Sequence, residues 1–468
     1  MLRRLSSVVL PEEDDGFSYQ GRYVASASLW VPRERIQNLP LLLRVACITG
    51  QIQKEDVTIS LVKEKPYHVL LPLRLRTNLL RDMGEPEVIT RNIQHERIRF
   101  EDGIIPRSAK QSLAWEAFEQ SDFGILNVAC GGGKTTLGLK KIAQRGGPAL
   151  VFVNNGGLAQ QWVERAKQFL GLTDAEIGIV QGDRAEWDRP LVIAMLQTVV
   201  SRADTITPAI RRRFATVLYD EVQHMAAQTF VTTADMFYGA RYGLTATVER
   251  SDKLEGVYLA HLGPVFYSDV TSEVYADVYF KRTPFVLQHH VQLESRSGDL
   301  IISRLYTALA TMARRNEMII SDVVDAAKSG RKILVLTHSV EHTATMQKLL
   351  AKRAPQIVSG IVTGAVKDTK RAPIMHASTV IFATFNIAKE GLDIPALDSL
   401  FITTPFKDWG AFQQCKGRVE RKYDDKLKPM VVVYDDTQID ICAALCAILR
   451  RGMKLHGLKF STLGEKAT

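Results

Sequence analysis

Residues 129–136 read ACGGGKTT. Gly131, Gly132 and Gly133 have no Cβ, so their backbone N–H groups can curl around phosphate oxygens. Lys134 then supplies a cation to β- and γ-phosphates, and the Thr135 hydroxyl, with Thr136 beside it, can face Mg2+. A helix opening at the lysine adds the positive end of its dipole. The strict pattern wants glycine six residues before the lysine, and Val128 stands there. A phosphate cradle needs a metal-holding acid at the end of a neighbouring buried strand, and ATVLYDEVQH (215–224) supplies one. Adjacent buried carboxylates are costly unless a cation accompanies them. Asp220 is expected to hold Mg2+, and Glu221 to orient and deprotonate an attacking water. A third stretch, QCKGRVER (414–421), sets Arg418 and Arg421 three residues apart. Alone it reads as a solvated helix face.

The elements that must carry these groups are legible in outline. GILNVAC, PALVFVNN, PLVIAMLQT, ATVLYDE and RYGLTAT are short, nearly continuous apolar runs between 124 and 247, separated by helical patterns such as QQWVERAKQFL. Such strands are buried on both faces, which predicts a parallel sheet covered by helices. The rhythm breaks at about 250–300, read as a connection between domains. It restarts in RKILVLTHS, IVSGIVTG, STVIFATF, SLFITTP and PMVVVYDD. The expected class is α/β, with two parallel-sheet domains in tandem at 104–285 and 286–468. A small α+β accessory domain at 1–103 is expected to precede them. In HVLLPLRLRT, Leu73 and Leu75 alternate with Arg74 and Arg76, predicting a strand with one buried and one basic face that meets nucleic acid. Trp30-Val31-Pro32 reads as exposed. Two roles stay open for the first 103 residues: a surface that selects DNA structure, or a cap on the first domain's core.

Composition narrows the class. The chain has 468 residues, 46% hydrophobic and 24% charged, within the range of globular proteins. No run of about 18 uncharged apolar residues is present, so no membrane segment is expected. The start, MLRRLSSVVLPEEDD, has too short an apolar run for a signal peptide. Five scattered cysteines without CxxC pairing predict reduced thiols in a cytoplasmic protein and no zinc site. The net charge of +9 favours a polyanionic partner. Residues 1–100 hold 15 Lys/Arg against 12 Asp/Glu, so the charge is spread through the molecule and is not a basic tail.

In order and separation, ACGGGKTT, DEVQH, LTAT and QCKGRVER resemble motifs I, II, III and VI of superfamily 2 helicases, over roughly residues 104–435. The detail is similar to the XPB and bacteriophage UvsW branch of the DExH group, although Gln223 stands where XPB-like members usually have histidine. The resemblance implies two RecA-like domains, ATP and Mg2+ as cofactors, and a set of site residues. Arg107 and Gln111, in IPRSAKQSLAWEAF, would read adenine. Gln223 and Thr245-Ala246-Thr247 would couple ATP to the strand-binding site. Gln197 and Thr198 in LQTVVSR, Thr337 in THS, Thr363 in VTGAVKD and Thr384 in ATFNIAKEGLDIP would touch nucleic acid. Gly391 and Asp393 would meet the nucleotide. Arg421 would be an arginine finger, and Arg418 would contact the γ-phosphate or Glu221. The implied function is an ATP-dependent DNA motor, monomeric, moving 3′ to 5′ on single strands and unwinding or branch-migrating forks and junctions. An ATP-switched duplex-DNA clamp without net unwinding, and an RNA helicase, remain alternatives.

Overall fold

The computed structural model describes residues 19, 21–52, 55–75, 78–88, 93–129, 131–224, 233–250, 252–271, 274–287, 292–294, 300–366, 368–385, 387, 394–404, 406–423 and 425–464. The chain divides into two compact units, Met1–Thr271 and Ser272–Thr468. No described helix is long and apolar enough to cross a membrane. The four described cysteines, Cys47, Cys415, Cys442 and Cys446, are free thiols.

The first unit is built on an eight-stranded sheet. Its order is Arg184–Ala185, Ile177–Gln181, Leu191–Met195, Ala149–Val153, Thr216–Asp220, Ala240–Thr245, Gly124–Val128 and Val265–Asp269. Every pairing is parallel except the two-residue edge strand. GILNV, ALVFV and TVLYD are buried at every position, the pattern of strands covered on both faces. One face packs through Phe152, Tyr219 and Phe237, and the other through Phe118, Trp162 and Leu218. Helix starts follow local chemistry. Asn155 accepts from Leu158 N at 2.8 Å to open Gly156–Leu170, and Ser108 accepts from Gln111 N at 3.3 Å to open Ala109–Gln120.

The second unit has a seven-stranded, all-parallel sheet in the order Ser359–Val362, Val380–Thr384, Ile333–Thr337, Ser399–Ile402, Met430–Asp436, Asp277–Thr283 and Ser461–Leu463. Its first strand corrects the expected boundary at 286. DVYFKRT is polar at alternate positions, yet it runs in register with Met430–Asp436 along its full length. The connection between the sheets is therefore far shorter than 250–300, because Val265–Asp269 also closes the first sheet.

The N-terminal region forms a five-stranded sheet, Lys63–Glu64, His68–Leu71, Leu29–Pro32, Val24–Ala25 and Glu87–Val88, together with a separate hairpin of Cys47–Ile52 and Glu55–Ser60. Two expectations fail here. Trp30 is buried at 1% exposure, its ring 4.8 Å from Tyr19 and 5.7 Å from His68. The predicted amphipathic strand stops at Leu71, before Pro72; Leu73 and Arg74 turn instead. The region is also not a separate body. The buried Arg241 donates to the Ala27 carbonyl, Lys63 pairs with Asp235 at 3.1 Å, and Ile59 and Leu61 lie in the same core cluster as Val222 and Leu254. These contacts favour the capping role over a detachable selecting domain.

Candidate functional site

Because the first sheet is parallel, its strands deliver their carboxyl ends to one edge, where ligands of open α/β sheets bind. Three adjacent strands matter. Gly124–Val128 runs into the glycine loop, Ala240–Thr245 ends at Thr245, and Thr216–Asp220 ends at Asp220. Val128 is buried as the last strand residue, so the loop turns at Ala129, whose carbonyl accepts from Gly132 N at 2.9 Å. Gly131 and Gly133 sit at φ +79° and +88°, where a side chain would be strained. A Cβ on Gly133 would also run into the amide of Gln111. Lys134 opens the helix Lys134–Arg145, with Thr135 and Thr136 in the same first turn.

The predicted adenine-reading pair lies against this loop. Arg107 donates to the Gly131 carbonyl at 2.5 Å, and the buried Gln111 accepts from Arg107 N at 2.8 Å. Opposite, Lys134 Nζ lies 3.2 Å from Glu221 Oε1. Glu221 Oε2 accepts from Gln223 Nε2 at 2.7 Å, and Gln223 Oε1 accepts from the Thr245 hydroxyl at 2.5 Å. That hydroxyl in turn accepts from Thr247 N at 3.0 Å. The sequence-predicted residues of motifs I, II and III thus form one polar chain. Glu221 itself has φ +48°, a conformation that a side-chain-bearing residue adopts only when its surroundings impose it.

Asp220 is buried, and its Oδ1 accepts from Glu221 N at 3.0 Å. Burial, then the neighbouring Glu221 charge, pushes its pKa up to about 6, opposed by the Trp162 hydrogen bond and by Lys134. A carboxylate held at this cost beside a second one has the donor chemistry that a divalent cation such as Mg2+ takes. Sequence reading placed Trp162 only in a helix. In the structure its Nε1–H donates to Asp220 Oδ2 at 2.8 Å, and Gly138 leaves room for its ring. The available signal was a tryptophan in a strongly apolar helix face, whose N–H needs a partner once buried.

The nucleic-acid predictions divide. Gln197 and Thr198 lie in the helix that directly follows Leu191–Met195; Gln197 donates to Asn154 O at 3.5 Å and Thr198 accepts from Gly182 N at 3.2 Å. In the second unit Thr363, Thr384 and Thr337 stand at the carboxyl ends of three adjacent strands, so the structure gathers them on one edge. Thr337 and Thr363 are buried there, and the Thr337 hydroxyl donates to Ser339 O at 3.0 Å. Thr384 is partly exposed. The Arg74 guanidinium lies 3.4 Å over the Phe123 ring, at the amino end of Gly124–Val128 and so away from the glycine loop. Arg76, Gly391 and Asp393 lie outside the described residues.

QCKGRVER is not a solvated face. Gln414, Cys415, Lys416, Gly417 and Val419 are buried in the helix Trp409–Val419, and Glu420 is buried at its end. Arg418 and Arg421 are partly exposed. The segment is held from both sides: Glu420 pairs with Lys416 and accepts from Ala276 N at 2.9 Å, while the Arg421 carbonyl accepts from Lys426 Nζ at 2.8 Å.

Residues 90–250 match the family described as Type III restriction enzyme, res subunit, and residues 315–423 match Helicase conserved C-terminal domain. The chain is similar to the DNA 3'-5' helicase XPB of Kineococcus radiotolerans, 27% identical across 67% of this chain and 57% of that protein. It is also similar to the Escherichia phage T5 protein described as "Probable helicase D10", 26% identical across 67% of this chain and 68% of that one. The chain therefore spans less than two thirds of the XPB relative. In fold it is similar to S. cerevisiae Dbp5 bound to RNA and ADP BeF3, with a TM-score of 0.55, 13% identity and coverage of 76% of this chain and 89% of that chain.

Proposed function

We infer that this chain, a member of superfamily 2 of the helicases close to the XPB branch, hydrolyses ATP to move along DNA. The carrying observation is the polar chain from Lys134 through Glu221 and Gln223 to Thr245 on one sheet edge. It joins a phosphate-binding cation, a base and the strand-coupling motif without a break. ATP phosphates compete with Glu221 for Lys134. Once the lysine turns to phosphate, Glu221 keeps its hydrogen bond from Gln223 and is freed to accept a proton from water. Gln223 passes that change to Thr245. Mg2+, held by Thr135 and Asp220, would neutralise charge on the β- and γ-phosphate oxygens. Gln111 and Arg107 would read adenine. Arg418 and Arg421 would supply the positive charge that the transferring phosphoryl group needs.

The XPB relatives, described as DNA 3'-5' helicases and a DNA 3'-5' translocase, support DNA as substrate and 3′–5′ movement. The finer proposal is unwinding or branch migration of forks and junctions. Measuring ATPase activity with single strands, duplexes, forks, four-way junctions and RNA as activators tests it, beside strand displacement on 3′- and 5′-tailed duplexes. Stimulation by RNA alone, or displacement only from 5′ tails, would overturn it. Lys134→Ala is the control that must be inactive.

A further inference from the structure

We propose that the hairpin of Cys47–Ile52 and Glu55–Ser60 is a positioning element for ATP hydrolysis, acting on Gln223 and Glu221 through Asp252 and Arg250. The proposal rests on Glu221 being the water-activating group.

The links are short and directional. Gln51 N–H donates to the Asp252 carbonyl at 2.9 Å. Gly50, beside it, lies so close that a Cβ would run into that carbonyl and into Leu254, so only glycine lets the strand rest there. The Asp252 carboxylate grips Arg250 at both oxygens, with Nε 2.8 Å from Oδ1 and a terminal nitrogen 2.6 Å from Oδ2. Leu254 N, at 3.1 Å, donates to the same Oδ1. The second terminal nitrogen of Arg250 donates to the Gln223 carbonyl. Gln223 Nε2 donates to Glu221. The hairpin therefore reaches the catalytic carboxylate through one main-chain hydrogen bond, one bidentate ion pair and two further hydrogen bonds. A bidentate pair fixes orientation as well as distance.

Two further observations favour positioning over ligand binding. Among the described residues, the exposed hairpin positions are Thr49, Gln51, Glu55, Asp56, Thr58 and Ser60, none of which is a cation. The strained backbone of Glu221 must also be imposed from outside. Arg250, anchored by the hairpin's contact with Asp252, braces the turn that imposes it.

The test uses the full chain with Gly50→Ala, Asp252→Asn and the double variant, and Glu221→Gln as the control for the site. Asp252→Asn keeps the backbone carbonyl and removes the charge that grips Arg250. Each single variant is expected to lower kcat about tenfold or more, since small misplacements of a catalytic group cost that much. KM for ATP and the Kd of a fluorescent ATP analogue should stay within about twofold. The double variant should be no slower than Asp252→Asn alone, because both changes cut one relay. Wild-type kcat in the single variants, or a multiplicative loss in the double, would overturn the relay. Should Gly50→Ala fail to fold, the kcat of Asp252→Asn decides alone. Turnover by Glu221→Gln would instead overturn the reading of the site itself.

Discussion

A chain beginning at Glu101 should lose the fold of its first unit, and with it all ATPase activity. The cut removes Phe100, 7% exposed in the core with Phe118 and Trp162, and the hydrogen bond from Ile98 N to Gly146 O. It also removes Ile59 and Leu61, 6% and 3% exposed in the opposite core. At about 1.5–3 kcal/mol for each buried side chain, these three account for about 5–9 kcal/mol, an upper range because unfolded chains bury some apolar surface. That loss equals a large part of the roughly 5–15 kcal/mol by which a typical domain is stable. Polar losses add to it. Arg241, 3% exposed, gives up the Ala27 carbonyl, and Asp235 gives up Lys63. Circular dichroism melting of the truncated chain, with ATPase assays on the same material, reads both outcomes. A cooperative melt close to that of the full chain, with strand-stimulated ATPase intact, would refute the reasoning. It would restore the N-terminal region as a detachable module.

Glu221→Gln should bind ATP and Mg2+ yet release almost no product, which single-turnover and nucleotide-binding measurements separate. Arg421→Ala should lower kcat far more than it raises KM, and Arg421→Lys should rescue poorly because a point charge lacks the planar fork. Trp162→Phe deletes the hydrogen bond that favours charged Asp220, so the Mg2+ concentration for half-maximal ATPase should rise about tenfold. His342 donates from Nε2 to Asn316 Oδ1 at 3.0 Å, and burial, with Arg315 nearby, pushes its pKa down to about 4. Between that value and the ordinary 6.5 the unfolded chain binds the extra proton, so stability falls as pH drops from 7. Denaturant melts should show about 2 kcal/mol of this loss by pH 5, and His342→Gln should remove it.

The candidate site at the sheet edge was legible because each of its groups advertises itself locally. A glycine run before Lys-Thr, and two acids at the end of an apolar strand, have few other uses. The strand runs were legible for the same reason, since burial on both faces leaves no polar alternation to misread. Asp277–Thr283 was missed because it is a partly exposed strand whose partner lies about 150 residues later. Leu73 and Arg74 misled because so short an alternation is weak evidence, and Pro72 had already ended the strand. Trp162, Gly50, Arg250 and Asp252 are a different case. None belongs to a pattern with a fixed chemistry, and each takes its role from a partner brought near by the fold. Asp220 is 58 residues from Trp162, and Asp252 is 201 residues from Gln51. Motif spacing therefore locates the groups that gather at the glycine loop. The groups that hold them in place come from residues remote in sequence, and only the packed sheet reveals them. That is why the N-terminal region, featureless by motif, carries both the largest stability prediction and the proposed hold on Glu221.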